Sequence, residues 1–176
     1  MNTLPDLHTP RCLLRPVETG DQPFIYAGLS HPEVTRYFAV RYDSLEATGA
    51  QMEWYQKNLR ENRGGAWKVI AGDTGAAMGV VAYYDHRPEH RKAEIGFWFL
   101  PEYWRKGVAR EAITALIDYC EHVKDIHRLE AFVEAGNEAS HRLLLRLGFV
   151  LEGTMRECEI RDGEFLDLGI YALLLS

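Results

Sequence analysis

The chain has 176 residues, 47% of them apolar and 26% charged, and a formal net charge of −6. That length predicts one domain, residues 1–176, with enough chain to bury a sizeable core. The acidic balance, with no strongly basic region, argues against nucleic acid as a main partner, and no apolar run approaches the ~20 residues of a membrane-spanning helix.

The leading MNTLPDLHTP lacks the apolar core of a signal peptide. Cys12, Cys120 and Cys158 are widely spaced, with no Cys-x-x-Cys pair, which suits a reducing compartment and offers no metal site. The expected location is therefore cytoplasmic.

Arg11–Pro16 alternates apolar and polar residues and predicts a first strand. Thr19–Ser30 predicts a helix with Thr19 and Asp21 at its cap, and His31-Pro32-Glu33-Val34 a short second one with proline at a tolerated first position. Tyr37–Tyr42 reads as a loop. Asp43-Ser44-Leu45-Glu46 has the pattern of a capping box, with a helix following to about Asn62 and broken at Gly64-Gly65. Ala66–Ala71 and Met78–Tyr84 predict strands around the turn Gly72-Asp73-Thr74-Gly75.

The centre of the chain is Ala93–Cys120: a strand apolar on both faces from Ile95 to Leu100, a basic turn, and an amphipathic helix starting near Gly107. A helix N-terminus carries free N–H groups and partial positive charge, and so favours acids. Here Arg105, Lys106 and Arg110 surround it. An anion among them would satisfy cations and donors together, and Gly107 would let the backbone approach it closely. The turn therefore predicts a phosphate or pyrophosphate site, against the plainer alternative of basic side chains pointing into water.

Arg128–Glu134 predicts another strand and Asn137–Leu147 a helix stopped by Gly148. Thr154–Ile160 and Phe165–Leu174 flank Asp162-Gly163, a strong hairpin signal. Strands outnumber helices, which predicts a mixed sheet with helices on both faces. The terminal hairpin offers an edge on which a homodimer could pair.

The stretch Trp104-Arg105-Lys106-Gly107-Val108-Ala109 resembles the acetyl-CoA-binding Q/R-x-x-G-x-G/A turn of the GNAT acetyltransferases, with Trp104 where that family usually has Gln or Arg. The preceding Ala93-Glu94-Ile95-Gly96-Phe97-Trp98, Asn137-Glu138-Ala139-Ser140 and Leu147-Gly148-Phe149 extend the likeness from about Arg11 to Leu175, closest to the ribosomal-protein N-terminal acetyltransferases. The resemblance implies an α/β (mixed α+β) fold: a twisted mixed sheet of about seven strands, splayed in the middle, with about four flanking helices. It implies acetyl-CoA as co-substrate and no metal.

By that resemblance, Arg105, Lys106, Gly107, Val108, Ala109 and Arg110 hold the cofactor's phosphates, and the backbone of Phe97, Trp98 and Phe99 its pantetheine arm. A main-chain N–H near Phe99 is the expected oxyanion donor. Asn137 contacts the arm besides capping its helix. Glu94 is the expected base, since a carboxylate in an apolar strand is costly without a purpose, the alternative being a pair with Arg91 or Lys92. Leu144 stands where many relatives have a tyrosine acid, so Ser140 is the candidate proton donor to the thiolate.

The implied activity is direct acetyl transfer to a primary amine: a protein N-terminal α-amino group, a small-molecule amine, or no turnover at all in a CoA-binding sensor. His86-Arg87-Pro88-Glu89-His90 matches a zinc pattern, but the pattern needs a helix and Pro88 sits inside it. Tyr37, Phe38, Tyr42, Trp54 and Tyr55 read mainly as core, with the Tyr37–Tyr42 loop a candidate wall for the acceptor pocket.

Overall fold

Side chains alternate along the strands between the two faces of one eight-stranded sheet. The computed structural model describes residues 3–176. The strands are β1 (Leu7–His8), β2 (Cys12–Pro16), β3 (Gly65–Ala71), β4 (Ala77–Arg87), β5 (Lys92–Phe99), β6 (Arg128–Glu134), β7 (Val150–Arg161) and β8 (Glu164–Leu174). Their order is β1-β2-β3-β4-β5-β6-β8-β7, antiparallel throughout except between β5 and β6. The helices are α1 (Gln22–Leu29), α2 (Pro32–Thr35), α3 (Gly49–Arg60), α4 (Val108–His122) and α5 (Glu138–Arg146).

The larger core joins α4 and α5 to one face. Ala112, Ile113, Leu116 and Cys120 of α4 are wholly buried at three- and four-residue steps, against Leu14, Trp67, Val81, Ile95 and Leu129. The smaller core lies on the opposite face, where Ile25, Leu29, Val34 and Met52 of α1–α3 pack on Val80, Ala82 and Trp98. Trp98 fills the space over Gly28 so closely that any Cβ there would collide with its ring.

The sheet splits at its parallel pair. β5 meets β6 only at Lys92–Arg128, Ala93–Leu129 and Glu94–Glu130. Beyond Glu94, β5 runs on with β4 to Phe99, while β6 runs on with β8 to Glu134. The splay expected in the middle of the sheet thus opens directly after Glu94.

Several boundaries differ from the expectation. The eighth strand is the two-residue β1, too short to carry a periodic signal. Thr19–Asp21 is a separate 3-10 turn before α1, because the Asp21 carboxylate turns back to accept from Glu18 N–H (2.9 Å) and ion-pairs with Lys68. α3 starts only at Gly49, since Ser44 and Thr48 hold residues 44–48 in turns: Ser44 Oγ accepts from Ala47 N–H (3.0 Å) and Thr48 donates to Ser44 O (2.9 Å). The last hairpin turns where expected, with Asp162 at φ 52° and Gly163 at φ 84°, the pair of positive angles that a two-residue turn demands.

Candidate active site

At the β5–α4 junction, Arg105 (φ 60°) and Gly107 (φ 77°) both take left-handed conformations. Among the described residues, no side chain caps α4. Arg105, Lys106 and Arg110 are exposed, and among the described residues none has a carboxylate partner. These three cations, with Lys106 also over the Tyr103 ring, stand around N–H groups that no described side chain caps, an arrangement that an anion would satisfy. Val108 is buried and Ala109 half-buried, anchoring the first turn of the helix. Trp104, the departure from the family pattern, donates its indole N–H to Phe99 O (2.7 Å) and ties the turn to the end of β5.

Leu100 N–H bonds to Met78 O (2.9 Å), so that amide faces β4. By strand alternation the N–H groups of Phe97 and Phe99 face the other way, into the split, where β6 has already turned off. The side chains of Trp98 and Phe99 are buried in the two cores, and that of Phe97 is partly buried.

The split widens into a cavity of about 540 Å³ whose lining includes Glu94, Phe97, Trp98, Asn137 and Ser140. Five residues expected in the site, separated by up to about a quarter of the chain, are thus brought to one space. Arg105–Arg110 lie outside it, at the C-terminal end of β5.

Glu94 is half-buried on the α1–α3 face, directly across from Tyr84. Burial raises its carboxyl above the usual range, the nearby Asp85 and Glu130 raise it further, and the Tyr84 hydroxyl and Lys92 oppose the rise. The pairing alternatives are occupied elsewhere: Arg91 binds Asp125 (2.6 Å) and Lys92 reaches Glu130 (3.3 Å). What remains is a carboxylate without an ion-pair partner among the described residues, facing a cavity, with raised basicity.

Asn137 Oδ1 accepts from Ser140 N–H (3.2 Å), the helix cap expected of it. The Ser140 hydroxyl has no protein partner among the described residues and faces the same cavity as Glu94. His141 clamps this first turn of α5: its Nε2–H donates to Glu134 O (3.0 Å), leaving Nδ1 to accept from Tyr171 O–H (2.6 Å). Leu144 is fully buried core.

Sequence reasoning missed Tyr84, which sits in a strand and carries no motif. It also missed Glu134, at the end of β6, and Glu159 and Arg161, which β7 of the last hairpin brings to the same cavity. Arg161 ion-pairs with Glu134. Tyr37, Phe38, Trp54 and Tyr55 do wall the cavity, and burial pushes the Tyr55 hydroxyl up to about 12. The zinc-like pattern is not on a helix: His86 is buried in β4 with Nδ1 on Asn62 O (3.1 Å), and His90 is exposed in a 3-10 turn.

Residues 11–150 match the model of the acetyltransferase (GNAT) domain. An uncharacterized N-acetyltransferase of Bacillus subtilis, YoaA, is 34% identical over 171 residues, 97% of each chain. The ribosomal-protein-serine acetyltransferase of Escherichia coli is 28% identical over 99 residues, covering 56% of this chain and 55% of that protein. Among solved structures, the spermidine N-acetyltransferase of Vibrio cholerae, in complex with CoA and spermine, superposes with a TM-score of 0.84. It is 26% identical and is covered over 96% of its length by 94% of this chain.

Proposed function

From the premise that the chain belongs to the acetyltransferase (GNAT) domain family, we propose that it moves an acetyl group directly from acetyl-CoA to a protein N-terminal α-amino group. The observation that carries the chemistry is the meeting of Glu94, Phe97 and Ser140 in one cavity at the sheet split, with the Phe97 N–H turned inward and that of Phe99 on the same side of β5 beyond the cavity lining. Glu94 takes the proton from the acceptor ammonium, directly or through one water. The Phe97 and Phe99 N–H groups receive the negative charge that develops on the carbonyl oxygen. Ser140 relays a proton to the departing thiolate, giving up its own and taking in turn the one that the newly acylated nitrogen sheds. Arg105, Lys106, Arg110 and the uncapped N-terminus of α4, opened by Gly107, hold the pyrophosphate, with Val108 and Ala109 seating the helix and Asn137 beside the arm.

An α-amino group, with pKa about 8, asks less of a carboxylate base than a lysine near 10.4. The relative acting on ribosomal-protein serine supports this acceptor. A small polyamine is the second reading. The acidic lining, Glu94 with Glu134 and Glu159, suits a cationic amine, and the spermidine enzyme superposes over nearly its whole length. A cytoplasmic location accompanies either reading, with Cys12, Cys120 and Cys158 all unpaired.

Thiol release from acetyl-CoA in the presence of serine- and alanine-initiated peptides, and separately of spermidine and other small amines, tests the choice. Acetylation at peptide N-termini, located by mass spectrometry, is the expected result. Turnover confined to small amines would replace the first reading with the second.

A further inference from the structure

Arg11 is exposed, so nothing about burial forces its side chain into a fixed place. It is nevertheless fixed from three sides. Its N–H donates to Glu111 Oε1 and its Nε to Glu111 Oε2, both at 2.7 Å, and its Nη1 donates to Lys106 O at 2.9 Å. Its Nη2 lies 3.2 Å from where a Cβ on Gly107 would stand. The guanidinium therefore sits directly under the basic turn, 95 residues away in the chain.

Two consequences follow from elementary geometry. In a planar trans peptide the C=O and the following N–H point in opposite directions. Holding Lys106 C=O on Arg11 therefore turns the Gly107 N–H away from Arg11, to a side where no protein group among the described residues accepts it. The second concerns Glu111, the only acid in the first turn of α4. A carboxylate there is the natural occupant of free helix-terminal N–H groups and competes with any anion from outside. Glu111 is instead held by three donors on the far side: Thr9 Oγ1 (2.6 Å), Arg11 N–H and Arg11 Nε.

We propose that Arg11 is a positioning residue for CoA binding, aiming the Gly107 N–H at the pyrophosphate and keeping the Glu111 carboxylate out of its site. The inference rests on reading the Arg105–Arg110 turn as the pyrophosphate site. The plainer alternative is a staple that merely ties the N-terminal segment to α4, and the two differ in what a second substitution does. Arg11→Met frees only Glu111 Oε2, since Thr9 Oγ1 and the main-chain N–H of residue 11 still hold Oε1. Removing the other half of a staple cannot mend it, whereas neutralising a carboxylate whose second oxygen has come loose restores room for the anion.

Calorimetric titration of the full chain with CoA, for wild type, Arg11→Met and Arg11→Met/Glu111→Gln, with Tm for each, decides the matter. Arg11→Met should bind CoA about tenfold more weakly, the scale of one charge-assisted contact. The double variant should regain at least about threefold of that loss without any gain in Tm, the remainder reflecting the unheld peptide. Arg11→Met within twofold of wild type, or a double variant no tighter than the single one, overturns the proposal. Failure of the wild-type protein to bind CoA would instead refute the underlying site, and is seen in the first titration.

Discussion

Glu94→Gln separates base from scaffold. At pH 7 an α-amino acceptor with pKa about 8 is about one-tenth neutral, and an amine near 10.4 is less than a thousandth neutral. Without a base, the enzyme must capture that minority and lose the remaining proton to water. The other cavity carboxylates are poor substitutes, since Glu134 is tied to Arg161 and Glu159 is exposed on β7. The loss should therefore be the full effect of general-base help, about 10²–10⁴-fold in kcat/KM at pH 7. CoA affinity should be unchanged.

The pH profile carries the sign. Glu94 acts as base only when ionised, and its carboxyl is raised by burial first and by Asp85 and Glu130 next. Wild-type kcat/KM should fall as pH drops through that raised value, and the variant should lack this limb. Its deficit should shrink toward the amine's own pKa. Stability runs the opposite way. A carboxyl with a raised folded pKa favours folding below its unfolded value and loses that contribution as pH rises through the folded one. At pH 7 the wild type bears the burial cost of the charge and glutamine does not, so the Tm of Glu94→Gln should be no lower than wild type. Thiol-release kinetics from pH 5.5 to 9.5 and thermal melts make the measurement, the pH limits being about one and a half units beyond neutral and the α-amine value. A folded Glu94→Gln protein that keeps wild-type rate at pH 7 would refute the reasoning.

Ser140→Ala should lower kcat by about tenfold or more with CoA affinity within about twofold. Because Asn137 caps the main-chain N–H of Ser140, the substitution should leave Tm nearly unchanged, and a fall in Tm with kcat intact would assign the hydroxyl to the fold. Gly107→Val places a branched side chain at φ 77°, close to Arg11, which strains the backbone by about 1–2 kcal/mol and obstructs the anion. CoA binding measured by calorimetry should weaken at least tenfold, and unchanged affinity would remove the turn from the site. Asp21→Asn leaves the buried Lys68 ammonium without its carboxylate and should cost about 3–5 kcal/mol in denaturant melts. Adding Lys68→Met should recover much of that loss, and a single variant as stable as wild type would show that the pair contributes nothing.

What the sequence determined by itself is local. The periodicity of Ala112, Ile113, Leu116 and Cys120 specifies α4, the Asp162-Gly163 pair specifies the last hairpin, and Asn137 specifies the start of α5. The basic turn is equally legible, because Arg105, Lys106, Gly107 and Arg110 stand within six consecutive positions and need only the helix behind them to make an anion site. Glu94 was readable as an oddity, a carboxylate in an apolar strand. What only the tertiary structure decided is where the sheet opens. That depends on β5 and β6 pairing for three residues and then choosing different partners, β4 and β8. Strand propensity is a property of each segment, but register is a property of two, so no run of residues in β5 announces that the amides of Phe97 and Phe99 will lack a neighbour. The same holds for Tyr84 beside Glu94, for Arg161 on Glu134, and for Arg11 beneath Gly107. Each is an ordinary side chain in its own element, given its place by another element that folds against it, the next strand for Tyr84 and more distant chain for Arg161 and Arg11.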